Sequence, residues 1–407
     1  MRAISKYLDH YAEPECSVLT DFPAHCRYRQ CVVIPAYDER PDFLPQLIGD
    51  RGLLPSHHGL LILVINRPEH RELPASNLQL MDYLQQQLPT LWHHNTLTLL
   101  GNSDWGVLLV DRNHQAIPRK QGVGLARKIG CDLAAQLFHL GQLQTPWVHS
   151  TDADAELPDN YLTTDSNKDK TAARLYPYQH KRVSDCPISK ATQHYQQRLN
   201  YYVEGLRWAG SPYAFHTLGS ILAIHIEYYC QARGFPKRAG GEDFYLLNKL
   251  AKLGAIQQLP ATAHNTITLQ PRLSHRVPFG TGPAVEKIIT GEGSSLRDYN
   301  PQVFACLKQL LDEIGTSQTT GIEPQSLMAQ LPSEITSALS DAGIDHLWQH
   351  LQQKKPSQHH SHFHLWFDGF RTLKFIHYLQ QYHYPALTNP YPQARALTGW
   401  TASQPNL

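Results

Sequence analysis

This sequence of 407 residues carries almost no net charge. Lys and Arg number 36 and Asp and Glu 35, so the balance gives no reason to expect nucleic acid or an anionic membrane as a partner. A long apolar run is also missing. The longest, GLLILVI at Gly59–Ile65, falls far short of the roughly 20 residues that span a bilayer. The opening MRAISKYLDHYAEPE has no apolar stretch leading to small residues, so no signal peptide is expected. Cysteine is scattered and odd in number: Cys16, Cys26, Cys31, Cys131, Cys186, Cys230 and Cys306. Without a CxxC pair, that pattern argues against a zinc finger or disulfide scaffold and makes a reducing cytoplasm the expectation. What is present, 41% hydrophobic and 10% aromatic residues, suits a globular chain with room for two domains or one domain and an appendage.

Buried strands are expected at CVVIPA (31–36), LLILVI (60–65) and GVLLVD (106–111). A helix fits Gly124–Gly141, with Leu125, Ile129, Leu133 and Leu137 on one face. The strand PWVHST follows. This alternation predicts an α/β fold with a mostly parallel central sheet flanked by helices. Ligands of such sheets bind beyond the carboxyl ends of the strands. The segment PAYDE, Asn66, Asp111 and the acids after PWVHST all fall at expected strand ends and could converge there. Further on, Ser189–Ala209 reads as a long helix and GSILAIHIEYY as a strand–helix junction. Glu242–Gly254 reads as a helix with acids in its first turn and Leu246, Leu247, Leu250 and Leu253 on its apolar face. From about residue 300 the chain turns to helices with polar linkers. Lys354–His364 reads as a loop before a last helix, whose Trp366, Phe367, Phe370 and Leu373 would pack on the main domain or a dimer partner. Four histidines fall within HHSHFH, where a polar loop is the plainer reading than a metal site.

Four constellations could carry chemistry. Asp152 and Asp154, two residues apart in an extended segment, can present carboxylates to one hard cation, Mg²⁺ or Mn²⁺. A solvated acidic loop is the bland alternative, and the position after a buried strand favours the metal. Glu156 faces the same way, whereas Asp159 after Pro158 reads as the cap of a short helix PDNYL. Glu242 and Asp243 follow a Gly-Gly turn and could serve as a general base and its neighbour, or simply favour a helix start. PRKQGVGLARKIG places glycines and basic residues at a helix start, which suits phosphate or a plain loop-to-helix junction equally. PRLSHRVPFGTGPA offers Arg272, Arg276 and Thr281 for a diphosphate or an acidic acceptor, or is an ordinary surface loop.

Their order is more telling than any one of them. PAYDE, K-x-G-x-G-x-A-R, DAD, a G-S-x-L-A segment and GGED follow one another. Over about residues 30–255 this resembles the family 2 glycosyltransferases of the GT-A fold, which typically read V-I-P-x-Y-N-E, K-N-x-G-x-x-A-R-N-x-G, D-x-D, a small-residue strand and G-G-x-x-E-D. The resemblance implies an N-terminal extension (1–29), a GT-A domain with a Rossmann-like sheet (30–299) and a helical C-terminal region (300–407). It implies a metal-dependent transfer of a sugar from a UDP- or GDP-sugar to a hydroxyl acceptor, with Mg²⁺ or Mn²⁺ as cofactor. Pro35, Ala36, Tyr37 and Glu39 would line the nucleotide pocket. Lys120, Arg127, Asp152 and Ala153 would lie on the donor, and Gly219 and Ser220 by the donor sugar. Asp154, with Asp152, would hold the metal. His264 and His275 are both in range to add a ligand. Asp243 would be the base and Glu242 its neighbour.

The chain departs from the pattern in three places. Asn66 stands where the family carries an Asp that reads the base, Asp38 where it prefers Asn, and some forty residues including LWHHNTL are inserted between the second and third strands. The implied course is inverting. A retaining enzyme making a glycosylated hydroxy acid, a nucleotidyltransferase and a non-catalytic sugar-nucleotide-binding protein are the competing readings. A nucleotidyltransferase would carry a glycine-rich basic loop after the first strand, and PAYDERPDF has none. A small soluble or glycan acceptor, and a homodimer, are compatible with the chain.

Overall fold

The computed structural model describes residues 2–163, 170–274, 276, 280–291, 297–320, 326 and 329–401. Its strands are β1 (Gln30–Ala36), β2 (Gly59–Pro68), β3 (Thr90–His94), β4 (Leu97–Gly101), β5 (Gly106–Ile117), β6 (Trp147–Ser150), β7 (Ala155–Glu156), β8 (Thr171–Leu175), β9 (Tyr178–His180), β10 (Leu222–His225), β11 (Ala255–Gln258) and β12 (Ile267–Leu269). Every residue of β1 is buried, as a strand apolar on both faces requires. It lies between β2 and β6 and is parallel to both. The main sheet runs β11-β8-β10-β6-β1-β2-β5-β4-β3, and β7-β12-β9 form a second, small sheet. The strands β6, β1, β2 and β5 are mutually parallel. Of the nine, β10 and β4 run against the rest, so the sheet is mixed but mostly parallel.

The connectivity locates a ligand crevice. The chain steps from β1 outward to β2 and β5, then returns to the other side of β1 to form β6. The winding therefore reverses between β1 and β6, and the crevice of an α/β sheet opens at the carboxyl ends of the strands that flank such a reversal. PAYDE follows β1 and the DAD run follows β6.

The expected elements appear with shifted edges. The long central helix spans Gly122–His139, and β5 continues six residues past Asp111, which is therefore mid-strand. The inserted segment before β5 is a helix, Ala75–Gln87, and the β3–β4 hairpin, so it adds strands to the sheet edge. Asn95 turns that hairpin in the left-handed region (φ 53°), which Asn tolerates well. The expected helix PDNYL is a pair of turns, with Tyr161 N–H on Pro158 O. The helix after the Gly-Gly turn stops at Leu250, three residues before Leu253. Leu253 is exposed, while Leu246, Leu247 and Leu250 are fully buried. No helix among the described residues is long and apolar enough to cross a membrane.

Two compact units divide the chain. One comprises Met1–Ser189 with Thr217–Pro283, the other Lys190–His216 with Ala284–Leu407. The second is helical around a core that includes Phe304, Leu307, Ile335, Phe363 and Phe375. All of HHSHFH belongs to a helix, His359–Trp366, where a loop was expected. The following helix, Gly369–Tyr382, buries Thr372, Phe375, Ile376 and Leu379 and leaves Phe370 exposed, so the expected aromatic stripe is rotated.

In the first unit the helix Arg2–His10 is tied down by one buried carboxylate. Asp132 accepts from Tyr7 Oη (2.6 Å), Tyr229 Oη (2.6 Å), Lys128 Nζ (2.6 Å) and the Glu13 N–H (2.8 Å). Removing it leaves the buried Lys128 ammonium with only the longer Glu13 ion pair, at 3.5 Å. Asp132→Ala should cost about 3–5 kcal/mol. Asp132→Leu combined with Lys128→Met should recover most of that loss in urea denaturation.

Candidate functional site

The end of β1 is held by side-chain amides. Asn66 on β2 donates from Nδ2 to Ala36 O (3.0 Å) and Val64 O (3.2 Å). Asn77 donates to Asn66 O (3.0 Å) and to Asn113 Oδ1 (2.8 Å). Its own Oδ1 receives the Asp38 N–H (3.0 Å). Asp38 has φ 55°, a left-handed conformation that Asn and Asp tolerate best, so the chain keeps a residue type suited to that turn. Pro35 and Ala36 are buried in the strand, while Tyr37 and Glu39 emerge half-buried beyond it.

At the end of β6 stands a guanidinium that organises the acids. Arg127, on the helix Gly122–His139, is 3% exposed. It donates from Nη1 to Ser150 Oγ (2.8 Å), from Nη2 to Asp152 Oδ1 (2.5 Å) and from Nε to Glu242 Oε1 (3.0 Å). Burial opposes its charge, but Asp152 and Glu242 more than offset that and hold it protonated. Gly219 makes the arrangement possible. A Cβ there would lie 2.4 Å from Arg127 Nη2, so only glycine lets the guanidinium pass. Ser220 is buried beside it and accepts from Thr151 Oγ1 through its carbonyl (2.9 Å).

Glu242 and Asp243 open the helix Glu242–Leu250 but differ in kind. Glu242 is 4% exposed and paired with Arg127. Asp243 accepts from its neighbour's N–H, Phe244 N (2.7 Å), and forms no ion pair among the described residues. Burial, then the adjacent Glu242 charge, push its carboxyl up to about 7.

Asp154 meets an arginine from a distant segment. Arg272 Nε lies 2.7 Å from Asp154 Oδ2, and its two Nη atoms grip both oxygens of Glu39 at 3.1 and 2.9 Å. Arg276 pairs with the same Glu39. Burial pushes the Asp154 carboxyl up to about 6; Arg272 opposes the shift and Asp152 adds to it. Among the described residues the five acids Glu39, Asp152, Asp154, Glu242 and Asp243 face three arginines, Arg127, Arg272 and Arg276. Asp152 and Asp154 are hard oxygen donors of the kind Mg²⁺ and Mn²⁺ take. Among the described residues no three His, Cys, Asp or Glu side chains converge on an ion position.

Other expected positions lie apart from these contacts. Lys120 and His264 are exposed, Ala153 is buried and Thr281 starts the helix Thr281–Thr290. His275 lies outside the described residues. Glu156, on β7, pairs with Lys181 Nζ (2.7 Å) and Gln270 on the small sheet, and Asp159 is exposed. The glycines of the GVG run serve packing. Gly124 N–H donates to Arg238 O (3.0 Å), and a Cβ on Gly124 would meet Pro236 O at 2.4 Å. This backbone contact joins the helix of Arg127 to the loop that delivers Glu242 and Asp243.

Sequence reasoning placed Arg127 near a donor and missed its pairing with Glu242. A signal was available, since an arginine among Leu125, Ala126 and Ile129 on a core-facing helix must find a carboxylate.

No family model matches the chain, and no curated protein matches it. Among solved structures it is similar to the mannosyltransferase PcManGT from Pyrobaculum calidifontis in complex with GDP-Man and Mn²⁺, at 15% identity and a TM-score of 0.35, over 88% of this chain and 93% of that one. It is also similar to S. aureus TarS 1–349, at 12% identity and a TM-score of 0.34, over 72% of this chain and 74% of that one. Overlaps of this quality leave function to be read from the residues.

Two outcomes are expected. Gly219→Ala should displace Arg127 and lower stability by about 1–3 kcal/mol, read by thermal melting. Asp243 holds a proton up to about pH 7 when folded, against about 3.9 in an unfolded chain. Between those values the folded state binds more protons, so this group's contribution to stability falls as pH rises. Asp243→Asn should therefore raise the melting temperature at pH 8 more than at pH 5. A uniform shift at both would show an unperturbed carboxyl.

Proposed function

We propose that the chain is a glycosyltransferase of the GT-A kind, similar to family 2, moving a sugar from a UDP- or GDP-sugar to a hydroxyl acceptor with inversion. The observation that carries this reading is the Arg127 guanidinium. It joins Asp152, beyond the β6 end of the reversal point, to Glu242, whose neighbour Asp243 forms no ion pair among the described residues. Acids ninety residues apart are thus brought to one side chain at the edge where such sheets take ligands.

Each residue has a distinct task in this reading. Asp243 is the base: a carboxyl raised to about 7 both accepts and holds a proton near neutrality. Glu242, committed to Arg127, is its positioning neighbour. Tyr37 and Glu39, after β1, face the nucleotide, and Asn66 keeps that strand end in place. Asp154, with Asp152, would hold Mg²⁺ or Mn²⁺. The carboxylate donors and the excess of acids over arginines fit such an ion. When bound, the ion supplies charge stabilisation to the leaving diphosphate. Arg272 and Arg276 are the mobile counter-charges. They neutralise Asp154 and Glu39 in the free protein and turn to the diphosphate when donor arrives. The acceptor hydroxyl approaches from the Asp243 side, opposite the diphosphate.

The test is a thermal-shift panel of sugar nucleotides with and without Mn²⁺. One UDP- or GDP-sugar should stabilise the chain only when metal is present. With that donor, Asp243→Asn should lower kcat by about 10²–10⁴ while leaving the shift intact. Transfer that survives the substitution would remove Asp243 as the base. Arg272→Ala, by freeing Asp154, should tighten Mn²⁺ binding measured by electron paramagnetic resonance, and Asp154→Ala should abolish it.

A further inference from the structure

The histidine run HHSHFH is untouched by the reading above, and its side chains sort by helix face. His359 Nε2 bonds to Leu351 O (3.1 Å) and Lys354 O (3.3 Å), a structural tie to the preceding turn. The His362 ring packs edge-on against His350 at 5.2 Å. His360 and His364 are one turn apart and turn toward each other. Their Nε2 atoms are 3.1 Å apart, and the rings cross at 61° with centroids 4.4 Å apart. The phase of this helix is set from inside. Phe363 is fully buried and stacks on Phe367 at 5.5 Å, which fixes where the two imidazoles point.

Two converging imidazole nitrogens can share a proton or a Lewis acid. Ligands at about 2.0–2.1 Å from a tetrahedral zinc lie about 3.3 Å from one another. The observed gap is within a few tenths of an ångström of that. We propose that His360 and His364 form a two-histidine site for a borderline divalent transition metal, with water filling the remaining positions. Imidazole pairs select Zn²⁺, Ni²⁺ and Cu²⁺ over the hard Mg²⁺ and Mn²⁺ suited to the acids near Arg127. The two sites therefore take different ions. With no third His, Cys, Asp or Glu converging there among the described residues, the ion keeps open positions.

The probe is Zn²⁺, titrated calorimetrically into the full chain in saturating Mg²⁺. One equivalent should bind. His360→Ala and His364→Gln should each weaken it by about tenfold or more, while His362→Ala should leave it unchanged. Circular dichroism should show each variant folded, and X-ray absorption should count two imidazole ligands on the bound zinc. Asp154→Ala should retain this zinc, so the result is independent of the proposed transfer chemistry. Failure of the wild-type chain to bind Zn²⁺ would mean that the pair shares only a proton. Equal binding by His364→Gln would mean an adventitious ion. Either result overturns the site.

Discussion

The first unit is organised around a cation with almost no access to water. A buried guanidinium is costly unless charged partners meet it, and breaking such a pair costs more than forming it gains. Arg127 is met by Ser150, Asp152 and Glu242, which come from a strand end, the loop after it and a helix start. Neither carboxylate could be displaced without leaving part of that charge uncompensated. The spacing of the carboxyl edge is therefore set by the fork of one side chain, and the sheet supplies its direction.

That constraint also explains the unequal fates of the acids. Asp152 and Glu242 are paired with Arg127, although burial still pushes the Glu242 carboxyl up. Asp243 and Asp154 are not paired with it, and burial pushes both carboxyls up, to about 7 and about 6. The arginines on Asp154 and Glu39 are about a third exposed, 31% for Arg272 and 29% for Arg276, against 3% for Arg127. One cation is thus buried and two are partly exposed, a division that suits a charged ligand exchanging with part of the internal pairing.

Much of this could be read from the sequence where periodicity and burial agree. The runs CVVIPA and LLILVI became central strands because their apolar side chains need cover on both faces. That Asp152 and Asp154 follow a buried strand was legible as well. The rest depended on contacts across the chain. The glycines before Arg127 look like a phosphate loop, yet their purpose lies in Pro236 and Arg238, more than a hundred residues away. Leu253 continues a helical pattern on paper, but the helix ends three residues earlier and the side chain faces water. PDNYL has the letters of a capped helix and folds as turns. The polar HHSHFH run reads as a loop, while Phe363 docking into the core is enough to pin a helix there. In each case a local preference gave way to tertiary packing.

The contact between Gly124 and the backbone of Pro236 and Arg238 has a consequence for genetics. It welds the helix of Arg127 to the loop of Glu242 and Asp243, so the two travel as a single part. A methyl group at Gly124 would pry them apart without altering any charge. In a saturation screen this glycine would prove as intolerant as a buried charge, although it serves only as a spacer.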